Sequence, residues 1–277
     1  MPSDAWHLTD DLDTFVAHTE DFLRSRPALH NTPLTVIRRW RTRPGTYVPG
    51  NVLFGRLESA GEIQAICYRP PSQRLTLTPL SPGRANALAA QLAALGHHLA
   101  GVTADEETAA AFADAWQRHT GATPTLPFRM HLYRLGTLTP PDPRPEGHAR
   151  IADERDHDHL IRWCRDLAAD LGETVTVDAH SWPSTRFAEK RYTFWQTPDG
   201  TPVSMAGVNP MVAGMVRVDP VYTPAHLRGH GYAAAVTAEV SRAANAAGAT
   251  EIVLFTAADN PTSNALYQRL GYQRVTD

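Results

Sequence analysis

A pair of glycines at a predicted junction between a strand and a helix restricts the fold of this chain more than any other feature. The junction, Arg228-Gly-His-Gly-Tyr-Ala233, lies between a predicted strand at 215–223 and a predicted helix at 232–246. Glycine adopts positive φ angles and lets the backbone approach a ligand closely. The amides of the first helical turn point outward with the positive end of the helix dipole. The turn therefore predicts an α/β fold that binds a phosphate-bearing ligand in its last quarter.

Two common phosphate-binding motifs fit this turn poorly. No Gly-Lys-Ser/Thr sequence follows the glycines, so the Walker pattern is absent. A dinucleotide-binding fingerprint needs a third glycine and an acidic residue at the end of the next strand. The next predicted strand, 251–256, ends three residues before Asp259. A dinucleotide site therefore stays open but is a poor match.

A second motif, Asn-Pro-Thr-Ser-Asn-Ala-Leu-Tyr-Gln-Arg-Leu-Gly-Tyr, spans residues 260–272. Asn260 suits an N-cap, Pro261 suits the first helical position and Gly271 suits the residue after the helix. The motif therefore predicts a helix at 260–270. Within it, Asn260, Asn264 and Tyr267 are spaced i, i+4 and i+7, so they share one helix face.

Together the motifs have the order strand, Arg-x-x-Gly-x-Ala, helix, strand and Asn-x-x-x-Asn-x-x-Tyr-x-x-x-Gly-Tyr. This order resembles the GNAT acyltransferase superfamily, whose usual donor is acetyl-CoA. The resemblance covers residues 148–277, and its specific motifs lie in 215–272. Arg228, Gly231 and Ala233 match the family's first motif, Gln/Arg-x-x-Gly-x-Gly/Ala.

The resemblance implies how the chain would hold acetyl-CoA. In the family, the turn amides bind the pyrophosphate, and the backbone of the preceding strand pairs with the pantetheine arm. The second motif places an asparagine near pantetheine and a tyrosine beside the thiol sulfur, which here implies Tyr267. The implied donor-binding residues are Val221, Tyr222, Thr223, Arg228, Gly229, His230, Gly231, Tyr232, Ala233, Asn260 and Asn264.

The chemistry of amide formation agrees with these residues. A neutral amine attacks the thioester carbonyl, and the developing oxyanion needs a donor such as a backbone N–H near Val221. The leaving thiolate benefits from a proton, which a tyrosine hydroxyl such as that of Tyr267 can give. No general base is evident, and Asp219, Glu173 and His180 are candidates by residue type only.

Composition limits the function classes. The net charge of −3 gives no overall basic surface for nucleic acid, although the run Arg38-Arg-Trp-Arg-Thr-Arg43 is basic. We expect that run to form an edge or solvent-facing strand. Cys67 and Cys164 have no metal or disulfide spacing. No apolar stretch approaches the ~20 residues of a membrane span, and the N-terminus does not read as a signal peptide. A cytoplasmic location without a metal or a membrane partner is expected.

A proline-rich segment at 137–147 predicts a stiff linker. The expected domains are 1–136 and 148–277. Each is predicted as a GNAT-like mixed, mostly antiparallel sheet flanked by helices, because the order of elements nearly repeats. The first half is predicted to contain helices at 10–25, 82–95 and 105–119, and strands near 33–42, 51–58, 61–69, 73–79, 98–103 and 127–135. The second half is predicted to contain helices at 157–171, 181–190, 231–246 and 260–270, and strands at 148–152, 191–197, 201–208, 213–223, 251–256 and from 271.

The first half departs from the family at both motifs. It has Ser81-Pro-Gly-Arg-Ala-Asn86 in place of the glycine pair, and Trp116 in place of the tyrosine. We therefore expect one degenerate domain without a CoA motif and one catalytic domain. The expected function is N-acyl transfer from acetyl-CoA, or another acyl-CoA, to a small-molecule amine, by a monomer or a homodimer. An aminoacyl-tRNA-dependent transferase, for which tRNA would be a partner, and a non-catalytic acyl-CoA sensor remain alternatives.

Overall fold

The chain folds into two compact units in a computed structural model that describes residues 4–43, 45–71, 73–126, 128–173 and 175–276. The first unit ends at Arg129, and the second spans Met130–Thr276. Every described helix is too short or too polar to cross a bilayer.

The described part of the first unit contains one sheet whose strands lie in the order β1-β2-β3-β4-β5. These strands are β1 (Ala5–Thr9), β2 (Leu53–Ser59), β3 (Glu62–Arg69), β4 (Leu75–Leu77) and β5 (Val102–Thr103). Only the β4–β5 pair is parallel among these neighbours. The helices are α1 (Leu12–Ser25), α2 (Asn31–Thr42), α3 (Pro82–Ala94) and α4 (Glu106–Thr120).

The described part of the second unit contains a longer sheet. Its strands are β6 (Met130–Leu135), β7 (His148–Ile151), β8 (Arg191–Gln196), β9 (Pro202–Val208), β10 (Met215–Tyr222), β11 (Glu251–Ala257) and β12 (Tyr272–Thr276). Their order is β12-β6-β11-β10-β9-β8-β7, and only β10 and β11 are parallel among these neighbours. The helices are α5 (His157–Asp170), α6 (Tyr232–Ala246) and α7 (Pro261–Arg269).

The predicted internal repeat is visible in the strand orders. Strands β1 to β5 of the first unit correspond to β7 to β11 of the second, with the parallel pair last in each series. In both units one helix connects the two parallel strands and another follows them, as α3 and α4 or as α6 and α7. The fold class is therefore the predicted one: two α/β units, each with a mixed, mostly antiparallel sheet.

The prediction of a strand near 33–42 is wrong, because these residues belong to α2. Leu34 and Ile37 are buried at helical spacing. Trp40 continues this face and packs edge-on against Phe54 and Tyr68. The helical spacing of these apolar side chains outweighs the strand propensity of single residues. The basic run 38–43 therefore lies at the end of a helix and not on an edge strand.

The boundary between the units lies earlier in the chain than the proline-rich segment suggested. Strand β6, predicted as the last strand of the first half, inserts between β11 and β12 and pairs antiparallel with both. The predicted linker belongs to the second unit as well. The Thr139 amide donates to the Leu270 carbonyl, and the Trp195 indole donates to the Glu146 carbonyl. Prolines therefore mark a segment that packs along the second unit.

Two smaller differences concern short elements. The predicted helix at 181–190 is only a 3-10 turn at Trp182–Ser184 followed by turns, whereas strand β1 has no counterpart among the predicted elements. The 3-10 turn ends at Thr185, whose backbone is extended with φ of −72° and ψ of 161°.

The sheet of the second unit has two differently covered faces. One face packs against α6 and α7 through a core that includes Trp195, Val218 and Tyr267. The other packs against α5 and the 177–187 segment through a core that includes Trp163 and Tyr222. Each face thus brings its own set of side chains to the strands β10 and β11.

Candidate active site

Strands β10 and β11 separate part of the way along the sheet. Their parallel pairing covers Met215–Arg217 against Glu251–Val253 and then stops. Both strands continue, β10 to Tyr222 and β11 to Ala257. On its other side, β10 carries a bulge at Asp219-Pro220, where its register with β9 shifts. Bulges bend a strand and increase its twist. The result is a gap between β10 and β11 with unpaired backbone groups along its edges.

The glycine turn lies beyond the end of β10, at the start of α6. Gly229 and Gly231 have φ values of 84° and 79°, which are left-handed. Side chains other than glycine adopt this region at a cost. A Cβ on Gly229 would meet nothing within 4 Å, so the turn is open above this residue. The turn therefore uses both glycines in the conformation that the sequence predicted.

The start of α6 presents free backbone donors. Gly231 is the N-cap residue and has no side chain with which to cap the helix. The first intrahelical bond closes from the Ala235 amide to the Gly231 carbonyl. The amides of Tyr232 and Ala233 precede this bond and have no intrahelical partner. Such amides, at the positive end of a 15-residue helix, can bind a phosphate group.

Arg228 and His230 fix the shape of the turn. The Arg228 Nε donates to the Thr223 carbonyl at 3.0 Å, and its Nη2 donates to Asp170 Oδ2 at 2.8 Å. The His230 Nδ1 lies 2.9 Å from the Arg228 carbonyl, and its ring stacks on Tyr232 at 5.6 Å. Arg228 thus closes the loop between β10 and α6 while keeping more than half of its side chain exposed.

Tyr267 lies on α7 and packs into the core that covers one face of β10 and β11. Its ring is buried in the core between the sheet, α6 and α7, edge-on to Tyr272. Among the described residues its hydroxyl has no hydrogen-bond partner. Burial raises the pKa of Tyr267, and the nearby Asp219 carboxylate raises it further. The hydroxyl therefore keeps its proton at neutral pH, as a proton donor must.

The two asparagines of α7 have structural partners. Asn260 caps the helix, with its Oδ1 accepting from the Ser263 amide at 3.0 Å. The Asn264 Nδ2 donates to the Ala257 carbonyl at 3.0 Å and to the Asn260 carbonyl at 2.8 Å. Its Oδ1 accepts from the Tyr133 hydroxyl of β6 at 3.0 Å. Asn264 therefore connects α7 to the end of β11 and to β6.

The segment 221–223 forms the end of β10 beside the gap. Val221 and Tyr222 pair with Ala206 and Met205 of β9. The Ser204 hydroxyl donates to the Tyr222 carbonyl at 3.1 Å and lies 2.8 Å from the Thr223 hydroxyl. These bonds attach one side of β10 to β9, so its other edge faces the gap.

The structure places the three residues that were considered as bases in different surroundings. Asp219 and Glu173 both bind Arg186, with Arg186–carboxylate distances of 3.2 and 2.7 Å. His180 is exposed in a turn and is not part of this network. Lys190, which the sequence did not single out, donates to the other oxygen of Asp219. The composition could have drawn attention to Lys190, because the chain contains 25 arginines and a single lysine.

Comparisons with known proteins agree with this geometry. The model of the GNAT acetyltransferase family matches residues 162–272, which include the gap, the glycine turn and Tyr267. No curated protein matches the chain in sequence.

Solved structures resemble the whole chain at low sequence identity. A GCN5-related N-acetyltransferase from Sphaerobacter thermophilus aligns with a TM-score of 0.63 at 17% identity, covering 100% of this chain and 94% of that one. A GNAT-family acetyltransferase from Colwellia psychrerythraea aligns with a TM-score of 0.59 at 10% identity, covering 98% and 96%. A tandem GNAT protein from the clavulanic acid biosynthesis pathway aligns with a TM-score of 0.51 at 15% identity, covering 98% and 95%. These likenesses concern the fold of both units.

Proposed function

We propose that this chain, whose residues 162–272 match the GNAT acetyltransferase family, transfers an acetyl group from acetyl-CoA to the primary amine of a small molecule. Both substrates would be bound together, and the amine would attack the thioester directly. The observation that carries the proposal is the gap between β10 and β11, which has the glycine turn at its end and Tyr267 on one side.

The residues present fit acetyl-CoA. Amides of Gly229 to Ala233 would bind the pyrophosphate, and the free edge of 221–223 would pair with the pantetheine arm. Arg228 would add a cation beside the phosphates. Asn260 has its Oδ1 committed to the helix cap, so its contact with pantetheine would come from the amide nitrogen or the backbone. Asn264 would act indirectly, since its side chain already holds α7 in place.

The chain would supply positioning and one proton. An unpaired backbone N–H near Val221 would stabilise the oxyanion that forms on the thioester carbonyl. Tyr267 would give its proton to the leaving sulfur as the carbon–sulfur bond breaks. Its raised pKa keeps the hydroxyl protonated until the thiolate forms beside it, and at the same time makes it a weaker acid.

The test is release of CoA thiol from acetyl-CoA by the purified protein in the presence of separate amines: glucosamine, spermidine, 2-phenylethylamine and free amino acids. Catalysed, amine-dependent release, with the acetylated amine detected by mass spectrometry, is the expected result. Tight binding of CoA without turnover of any amine would favour an acyl-CoA sensor.

A second arm separates donor classes. Acetyl-CoA alone should support the reaction, and ribonuclease should leave the rate unchanged. A reaction that occurs only in a cell extract and stops after ribonuclease treatment would favour the aminoacyl-tRNA-dependent alternative. We propose a cytoplasmic protein, as a monomer or a homodimer. Sedimentation of the purified protein would distinguish the two states.

A further inference from the structure

Lys190 is the single lysine of a chain that uses arginine at its 25 other Lys/Arg positions. It directly precedes β8, and only 2% of its side chain is exposed. Buried lysine is uncommon, because removing an ammonium group from water is costly unless it is paired. The use of lysine at this one position suggests that the position requires a chemical property that arginine lacks.

The contacts of Lys190 lead to the bulge of β10. Its Nζ donates to Asp219 Oδ2 and, at 2.8 Å, to Asn209 Oδ1. The other oxygen of Asp219 accepts from Arg186 Nη1 at 3.2 Å. Asp219 itself is 27% exposed. The pair thus has one buried member, Lys190, and one that reaches solvent, Asp219.

Charged and titratable groups surround the pair from several elements. Arg217 lies on β10 itself, and Arg186 lies in the segment before β8, where it also binds Glu173 at 2.7 Å. The remaining groups whose charges interact with Lys190 or Asp219 are Cys164 on α5, Tyr192 on β8 and Tyr267 on α7.

These surroundings give the two members very different proton affinities. Burial would raise the pKa of Asp219, but Lys190, Arg217 and Arg186 outweigh it and hold the pKa of that carboxyl well below its usual range. Burial lowers the pKa of Lys190 to about 8, with Arg217 adding to the effect and Asp219 opposing it. Asp219 alone is therefore a very weak base, whereas the lysine amine can take up a proton near neutral pH. A guanidinium could not, because it stays charged.

The pair and Tyr267 are associated with opposite faces of the sheet. Tyr267 belongs to the core on the α6 and α7 face of the sheet. The ionic partners of Asp219, namely Lys190 and Arg186, adjoin Tyr192 and Phe187 in the core on the α5 face. A thioester in the gap would thus have the hydroxyl on one side and the carboxylate on the other. The amine would approach from the side of Asp219.

We propose that Asp219 and Lys190 form one proton acceptor for the attacking amine, in which Asp219 contacts the amine and Lys190 holds the proton. This deepens the proposed function and rests on it. In the step, an N–H bond of the substrate ammonium breaks and an N–H bond forms on neutral Lys190, with the Asp219 carboxylate passing the proton between them. The freed amine then attacks the thioester carbon, and the proton that its nitrogen loses as the amide forms replaces the one that Tyr267 has given to the leaving sulfur. Lys190 later releases its own proton to water by way of the partly exposed Asp219. Lys190 is a positioning residue, since it acts through Asp219.

A titration of the free wild-type protein tests the property of Lys190 directly. Protein labelled with lysine carrying ¹³Cε should give one lysine signal, because the chain has one lysine. We expect its shift to change with a midpoint near pH 8. A chemical shift that stays at the value of the charged ammonium form above pH 10 would overturn the proposal. Lys190 and Asp219 would then form a salt bridge that does not exchange a proton. The measurement needs no acceptor, so it decides about Lys190 even where no amine is acetylated.

Two substitutions then separate proton transfer from charge pairing. Lys190→Arg keeps the positive charge but not the titration, and we expect kcat to fall about 100-fold with an unchanged KM for acetyl-CoA. Asp219→Asn should lose a similar factor. The wild-type rate should decrease as the pH is lowered through the titration midpoint of Lys190. The residual rate of Lys190→Arg should not show this decrease. A Lys190→Arg protein within about threefold of wild type, with the same pH profile, would overturn the proposal.

Discussion

The two units share an order of elements but differ at the site where the second unit forms its gap. In the first unit, β4 and β5 are three and two residues long and pair through Leu75–Val102 and Thr76–Thr103. In the second unit, β10 and β11 have eight and seven residues, and three residues of each strand pair with the other. A gap needs strands that continue after their pairing stops. The same topology therefore leaves a gap between two long strands in one unit and only a short strand pair in the other.

The helix starts differ in the same sense. Helix α6 begins after Gly231 in the left-handed region, whereas α3 begins at Pro82 after Ser81 in an extended conformation. At the position where α7 carries Tyr267, α4 has Trp116, which stacks on Phe112 at 6.0 Å. An indole can fill space in a core but is a poor proton donor to a thiolate. The first unit thus has neither a left-handed glycine at this helix start nor a tyrosine at the position of Tyr267.

The sharpest test of this comparison exchanges the hydroxyl of Tyr267 for hydrogen. Tyr267→Phe should lower kcat about 100-fold, because the leaving sulfur loses its proton donor, while the Kd of acetyl-CoA stays within about twofold. Steady-state thiol release and calorimetry measure the two quantities. The matched change in the first unit, Trp116→Phe, should leave both unchanged. Equal losses in the two variants would remove the functional distinction between the units.

A second test compares glycines at the two helix starts. Gly231→Ala forces a Cβ into the left-handed region at a cost of about 1–2 kcal/mol, and should raise the KM for acetyl-CoA about tenfold. Gly83→Ala lies inside α3 at ordinary φ with open space around the new Cβ, so it should keep the KM and slightly raise the Tm. An unchanged KM in Gly231→Ala would show that donor binding does not depend on the turn.

The smallest effect is expected for the arginines near each helix start. Arg228→Gln should raise the KM for acetyl-CoA about threefold at low salt, with less effect at high salt, because a partly exposed cation is screened. Arg84, which binds Asp4 at 2.7 Å near the start of α3, provides the control as Arg84→Gln. Both changes should alter the free energy of unfolding by less than about 1 kcal/mol, as is usual for exposed pairs. A salt-independent KM in Arg228→Gln would argue against contact with phosphate.

The sequence predicted the parts of the site that depend on local chemistry. The left-handed glycines and the cap of α7 follow from Gly229, Gly231 and Asn260, whose side chains or lack of them act within a few residues. What it could not predict were long-range partners. The pairing of Asp219 with Lys190 joins a residue of β10 to the residue that precedes β8, and no local pattern brings them together. The role of Asn264 likewise depends on Tyr133, which lies more than a hundred residues earlier.

The errors in the fold have the same origin. Residues 33–42 are predicted as a strand but form α2, from which Trp40 packs against the distant residues Phe54 and Tyr68. Strand β6 was correctly predicted as a strand, but its partners, β11 and β12, are distant in sequence. Proline content predicts a stiff linker at 137–147 but not its attachment to the second unit, because prolines restrict φ without specifying what a segment packs against.

Because β6 is inserted in the second sheet, the compact unit, Met130–Thr276, begins earlier than the region of family resemblance, 148–277. A fragment of residues 148–277 would keep the glycine turn and Tyr267 but leave a vacant slot between β11 and β12. Strand β12, which pairs only with β6 among the described strands, would lose its place in the sheet. Open edges of this kind recruit strands from other molecules. Moving the second unit into another protein would therefore require residues 130–147 to be moved with it.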